Sequence, residues 1–295
     1  DVAEVGRLME KLKTVKGKGK KSRVAILYDW ENNWALDDAQ GYAQATKRYP
    51  QTCQVHYRYF WERDIPVDVV TPNFDLSSYD LVIAPMLYLV SEANMEKLAE
   101  YTAAGGRLVG TYITGVVNES DLTYINGWPA PLQRVFGIKV KETDVYYPKD
   151  HNGIVMGDQN FTVHDYAALL EPSSAEVLAC YTDDFYADEA AVTANSYGAG
   201  RAYFIGGRTD NDFLLALYNQ ISEELALTNP LIVSGDPEVS VQSRENEQGS
   251  MTFVMNFSEA VKHVEFSGEH HDLLSDQIVT GEIELAPYQV VVFED

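Results

Sequence analysis

The stretch YDWENNWAL, residues 28–36, sets one carboxylate, Glu31, between two indoles, Trp30 and Trp34. A carboxylate to move protons and flat rings to hold a pyranose would suit glycoside chemistry. The usual route needs two carboxyls flanking the bond, ~5–5.5 Å apart for retention or ~6.5–9.5 Å for inversion. Read as continuing the strand before it, Glu31 has no evident partner, Asp29 included, and a capping or interface role is the simpler reading. Nucleophilic chemistry fares no better. The turn TYITG carries Ile113, a hydrocarbon, where a nucleophile would stand, and Thr114 has no histidine visibly arranged as its base. Cys53 falls in a helical stretch and Cys180 in a strand, as small apolar residues do. GAGRAYFIGGR lacks phosphate-loop spacing and runs into a strand rather than a helix. His263, His270, His271 and Asp272 form the densest ligand group, without H-E-x-x-H spacing, and TDDFYADEA lacks a calcium-loop spacing. The residues alone describe a scaffold without a complete active site, and imply no metal and no cofactor.

The elements that would position these residues follow from pattern. Val2, Val5, Leu8, Met9 and Leu12 fall at helical spacing over residues 1–13. SRVAILYD, PVDVVTP, YDLVIAPMLYLV and RLVGTYITG read as strands, the first and third apolar enough to be covered on both faces. A long helical region spans roughly residues 36–63. A second helix starts after Ser91, a good N-cap, shows one face of Met95, Leu98, Ala99 and Thr102, and stops at Gly105-Gly106. Such strand–helix–strand units predict a flavodoxin-like α/β domain, a parallel sheet with helices on both faces. Strands at AEVLACYTD, AAVTANSYG and GRAYFIGG and the helix DNDFLLALYNQISEELAL extend it. After Pro230, short alternating runs with Gly and Asn turns predict a small antiparallel β-domain. The expected divisions are a helix and basic linker over 1–22, the α/β domain over 23–229 and the β-domain over 230–295.

The net charge of −23 argues against nucleic acid and anionic membranes as partners. Seven cations crowd Lys11–Arg23, but Gly17 and Gly19 interrupt them and no aromatic is there to stack a base, so a solvated linker is the reading. Two cysteines without CxxC suit a reduced, cytoplasmic setting, and no apolar run approaches the ~18 residues of a membrane span. The start at Asp1 rather than Met suggests a piece of something longer.

Several long segments together resemble one family. LYDWENNWAL, RDIPVDVVTPNFDLSSYDLVIAPMLYLV, GGRLVGTYITGVVNESDLTYINGWPAPLQRVFGI and SYGAGRAYFIGGRTD are similar to the middle domain of glycoside hydrolase family 42 β-galactosidases. MNFSEAVKHVEF and DLLSDQIVTGEIELAPYQVVVFE resemble that family's small C-terminal domain. The resemblance implies a three-part protein. An N-terminal TIM barrel carries the acid/base and nucleophile glutamates, an amidotransferase-like domain makes much of a homotrimer contact, and a β-domain closes the chain. This sequence looks like the second and third parts, so no catalytic residue carries over to it. The galactoside would be met only through the barrel. Trp30, Glu31 and Trp34, with Trp128 of the stiff loop GWPAP, would line a subunit contact or the wall of the sugar cleft. Asn33 departs from the family pattern, where an aromatic is expected. Two other readings stand beside this one: a carbohydrate-binding module on the Trp30/Trp34 platform, and an independent amidotransferase-like hydrolase, against which Ile113 counts.

Overall fold

The computed structural model describes residues 2–294, with the side chains of Glu4 and Gln44 left aside. In chain order the elements are α1 (Val2–Lys11), β1 (Val24–Leu27), α2 (Trp30–Asp38), α3 (Tyr49–Trp61), β2 (Val67–Val70), β3 (Leu81–Ala84), α4 (Glu92–Ala103), β4 (Arg107–Thr111), α5 (Gln133–Phe136), β5 (Ile138–Val145), β6 (Asn152–Met156), β7 (Gln159–Pro172), β8 (Glu176–Tyr181), β9 (Ala190–Tyr197), β10 (Gly200–Ile205), β11 (Gly207–Thr209), α6 (Asn211–Leu225), β12 (Ile232–Gly235), β13 (Val239–Asn246), β14 (Gly249–Asn256), β15 (Lys262–Asp272), β16 (Gln277–Leu285) and β17 (Val290–Glu294). They fall into two compact units, one of residues 23–59 and 67–225, the other of 1–22, 60–66 and 226–295.

The larger unit is built on an 11-stranded mixed sheet. Its parallel part runs β2-β1-β3-β4-β10. β1 and β3 are buried at every position, which is why VAIL and LVIA are apolar without alternation. Ser91 caps α4 by accepting from the Asn94 amide at 3.2 Å, and Met95, Leu98, Ala99 and Thr102 face inward. Beyond β10 the sheet turns antiparallel through β9, β8, β6, β7 and β11, with β5 paired to β7. The expected parallel sheet is thus the central part of a mixed one. The strands of 138–172 escaped the sequence reading because bulges interrupt their alternation, as between Val140 and Glu142. The expected helix over 36–63 is two helices, α2 and α3, broken across 39–48. Lys47 closes that break, its ammonium donating to the Leu36 and Ala39 carbonyls at the end of α2.

The smaller unit carries an antiparallel sheet, β12-β15-β17-β14-β13 with β16 on β15. Val241, Val254, Val264, Phe266, Leu285, Val291 and Phe293 form its core. The basic stretch of the sequence belongs to this unit instead of running free through solvent. Gly19 and Glu245 exchange backbone hydrogen bonds of 2.9 and 2.8 Å along β13, and Lys18 Nζ donates to the Gly249 carbonyl at 2.6 Å. Lys11 Nζ donates to the carbonyls of Leu273 and Leu274 at 2.8 and 2.9 Å.

Candidate functional site

β1 delivers its carboxyl end to Tyr28, whose amide donates to the Val70 carbonyl at 2.9 Å. The chain does not stay extended from there. Asp29 takes an extended conformation and its carboxylate accepts from the Glu31 amide at 2.9 Å, so it is the N-cap of α2. This corrects the strand continuation expected for Glu31, which sits in the first helical turn, where its charge complements the helix dipole. The inward face of α2 is fixed by Asn32, fully buried, which donates to the Met86 carbonyl at 3.1 Å and accepts from the Leu89 amide at 2.8 Å. Asn33 and Leu36 are buried on the same side; the Asn33 amide donates to Asp37 at 3.3 Å, while its Oδ1 is buried without a partner among the described residues.

With 32, 33 and 36 inward, Trp30, Glu31 and Trp34 face out. The two indoles are 61% and 63% exposed with ring centroids 6.4 Å apart, and Tyr28 meets Trp30 edge-on at 5.4 Å. Two large apolar rings thus stand open to solvent beside one carboxylate. Asp29 is committed to capping, so the pair of free carboxyls that glycoside hydrolysis requires is not formed by these two residues.

Trp128 stands on a different segment, after β4. It is half-buried, its carbonyl accepts from the Val140 amide at 2.9 Å, and its indole N–H is buried without a partner among the described residues. The GWPAP loop packs on the turn that follows β4, since a Cβ on Gly115 would lie 3.1 Å from the Pro129 carbonyl carbon. In that turn Ile113 has φ +61°, a conformation a β-branched side chain rarely takes, and is buried. The residue at this strained position just after β4 is a hydrocarbon, which cannot act as a nucleophile.

The remaining candidates are occupied locally. His271 pairs with Asp276 at 2.8 Å, His270 Nε2 contacts the Ser267 carbonyl at 2.9 Å, and His263 lies 3.6 and 3.8 Å from Asp236 and Glu284. Burial pushes the Cys53 thiol up to about 12, which leaves it unreactive, and raises that of Cys180. Sequence reasoning missed Arg208. Its guanidinium donates to Asp165 at 2.6 Å, the Tyr112 hydroxyl at 2.7 Å and the Lys47 carbonyl at 2.5 Å, and lies over the Tyr166 ring at 5.1 Å. The available signal was a cation directly after the apolar strand and paired glycines of YFIGGR.

Residues 22–228 match the family model of the β-galactosidase trimerisation domain, and residues 238–295 that of the β-galactosidase C-terminal domain. The β-galactosidase GanA of Bacillus subtilis is 47% identical over 290 residues, covering 98% of this chain and 43% of that protein. The β-galactosidase GalA of Bacillus licheniformis is 48% identical over 289 residues, again 43% of its length. Among solved structures, a catalytic mutant of Gan42B, a family 42 β-galactosidase from G. stearothermophilus, superposes with a TM-score of 0.96 at 48% identity, over 100% of this chain and 43% of that one. The β-galactosidase from Bacillus circulans sp. alkalophilus gives 0.94 at 30% identity, over 99% and 44%. The chain thus spans less than half the length of the relatives it matches. With both domain models matched in tandem, it belongs to the glycoside hydrolase family 42 β-galactosidases and carries their trimerisation and C-terminal domains.

Proposed function

We propose that this chain is the non-catalytic assembly region of a β-galactosidase whose intact form hydrolyses terminal non-reducing β-D-galactosides with retention. The acid/base and nucleophile glutamates would lie in an N-terminal TIM barrel, and the intact protein would be a cytoplasmic homotrimer. The observation that carries the reading is the outward pair Trp30 and Trp34, exposed at 61% and 63% on a helix whose other face is pinned by Asn32. Aromatics are enriched at interface cores, and a pair left this open suits a second protein surface. Glu31 joins them on that face, and Trp128 of the GWPAP loop would likewise line a subunit contact or the wall of the sugar cleft. The divisions proposed are 1–22, 23–229 and 230–295. The parallel order β2-β1-β3-β4-β10 supports a flavodoxin-like ancestry for the central part.

Light scattering on the isolated chain tests the reading, with a mass near three times 33.0 kDa expected. In the intact enzyme, Trp30→Ala and Trp34→Ala should each shift the trimer toward smaller species by about tenfold in dissociation constant, the size of one interface anchor. Unchanged assembly and unchanged galactoside kinetics in both variants would sink it. The same indole pair could instead bind sugar, and a saturable galactose titration of the isolated chain, lost in Trp34→Ala, would favour that second reading.

A further inference from the structure

At the carboxyl ends of β4 and β10, where open α/β sheets hold ligands, a cavity of about 160 Å³ opens beside the start of α3. We propose that it binds a small oxyanion of phosphate size, held by Arg48, Gln51, His56, Thr209 and the first turn of α6. The proposal does not depend on the assembly reading above.

Charge is the first argument. The chain has 45 Asp and Glu against 22 Lys and Arg, yet the residues lining this cavity include two arginines and no carboxylate. Three acids stand beside the lining: Asp165, Asp210 and, in the first turn of α6, Asp212. Asp165 is bound by Arg208 at 2.6 Å, and Asp210 accepts from the amides of Phe213 and Thr162 at 2.9 Å each. Arg48 is exposed, and its guanidinium makes no hydrogen bond or ion pair among the described residues. The 15-residue helix α6 begins at Asn211 on the cavity wall, where Asp210 takes the Phe213 amide and leaves the amides of Asn211 and Asp212 for a ligand.

The second argument is a buried donor. His56 is only 4% exposed and lines the cavity. Its Nδ1 lies 2.6 Å from the Tyr218 hydroxyl, and Nε2 has no hydrogen-bond partner among the described residues. A donating Tyr218 hydroxyl makes Nδ1 the acceptor and puts the ring proton on Nε2, the tautomer this site requires. The hydroxyl of Thr209 and the amides of Gln51 and Asn211 add neutral donors at the same wall. The cavity is smaller than the ~300–1,000 Å³ of ordinary small-molecule sites, so one anionic group fits and any larger body of the ligand stays outside.

The test is calorimetric titration of the 295-residue chain with inorganic phosphate, against chloride at matched ionic strength. One saturable site is expected, with affinity at least about tenfold weaker in Arg48→Ala, which removes charge-assisted bonds but keeps the backbone carbonyl that accepts from Thr52. The ring ¹⁵N resonances of His56 should move on phosphate addition in the unsubstituted chain, a readout that requires no change to a buried residue. Glucose 6-phosphate binding more tightly than phosphate assigns the group to a phosphorylated sugar, and equal binding assigns it to the free ion. Heats that never saturate, or saturable binding that Arg48→Ala and the His56 resonances ignore, overturn the site.

Discussion

At the scale of single residues, the chain divides its aromatic and charged side chains between display and restraint. Trp30 and Trp34 are displayed, and their spacing made them visible in the sequence because the features that matter are neighbours in the chain. Glu31 shows the limit of that legibility. Its exposure could be guessed, but the helix start that sets its direction depends on the Asp29 cap, and an extended continuation was the wrong local geometry. Arg208 is the restrained case. Its partners Thr46, Tyr112 and Asp165 are 162, 96 and 43 positions away, so no window of sequence could have assembled them. Arg208 and Asp165 have side chains only 17% and 16% exposed, so the pair is largely desolvated. Arg208→Met should therefore cost about 3 kcal/mol, because it strands the Asp165 carboxylate in a buried setting. Urea unfolding checks this, and adding Asp165→Asn to the variant should return much of the loss. A double variant no more stable than Arg208→Met would contradict the assignment.

At the scale of elements, apolar runs and caps carried most of the information. β1, β3, β4 and α4 could be read because covered strands are continuously apolar and because Ser91 and Gly105-Gly106 bracket one helix. The segment GEIELAPYQVVVFED holds parts of two strands, since the chain reverses at Ala286–Gln289, where Tyr288 has φ +58°. The β9–β10 hairpin depends on a glycine of a different kind. A Cβ at Gly200 would stand 2.1 Å from the Thr102 carbonyl oxygen and 2.3 Å from that of Gly106, both backbone atoms at the end of α4. Backbone cannot swing aside as a side chain does, so Gly200→Ala should cost about 3 kcal/mol, at the upper end of overpacking. A urea midpoint within error of the unsubstituted chain would show that the hairpin and α4 are not in the described contact.

At the scale of the whole molecule, the two units should answer acid in opposite directions. In the larger unit, burial and the nearby Arg208 hold His56 down to about 4. Its folded value lies below the unfolded ~6.5, so the stability it contributes is complete above pH ~6.5 and is lost as pH falls toward 4. In the smaller unit, burial lifts Asp64 to about 6, against the hydrogen bond it accepts from the Val241 amide at 2.7 Å. A carboxyl raised in the folded state favours folding at low pH and loses that contribution as pH rises from ~4 to ~6. Each effect is roughly 3 kcal/mol at full extent. Between pH 6.5 and 4, NMR-resolved urea midpoints should fall for resonances of the larger unit and rise for those of 226–295. Parallel shifts in both would reject the assignment. The pairing of Gly19 with Glu245 has a practical consequence for anyone dissecting this protein. The domain match begins at residue 22, which invites a cut there, yet such a cut would strip the guard from one margin of the terminal sheet. An uncovered β margin recruits other chains, so the trimmed piece would be prone to clump even with its core intact.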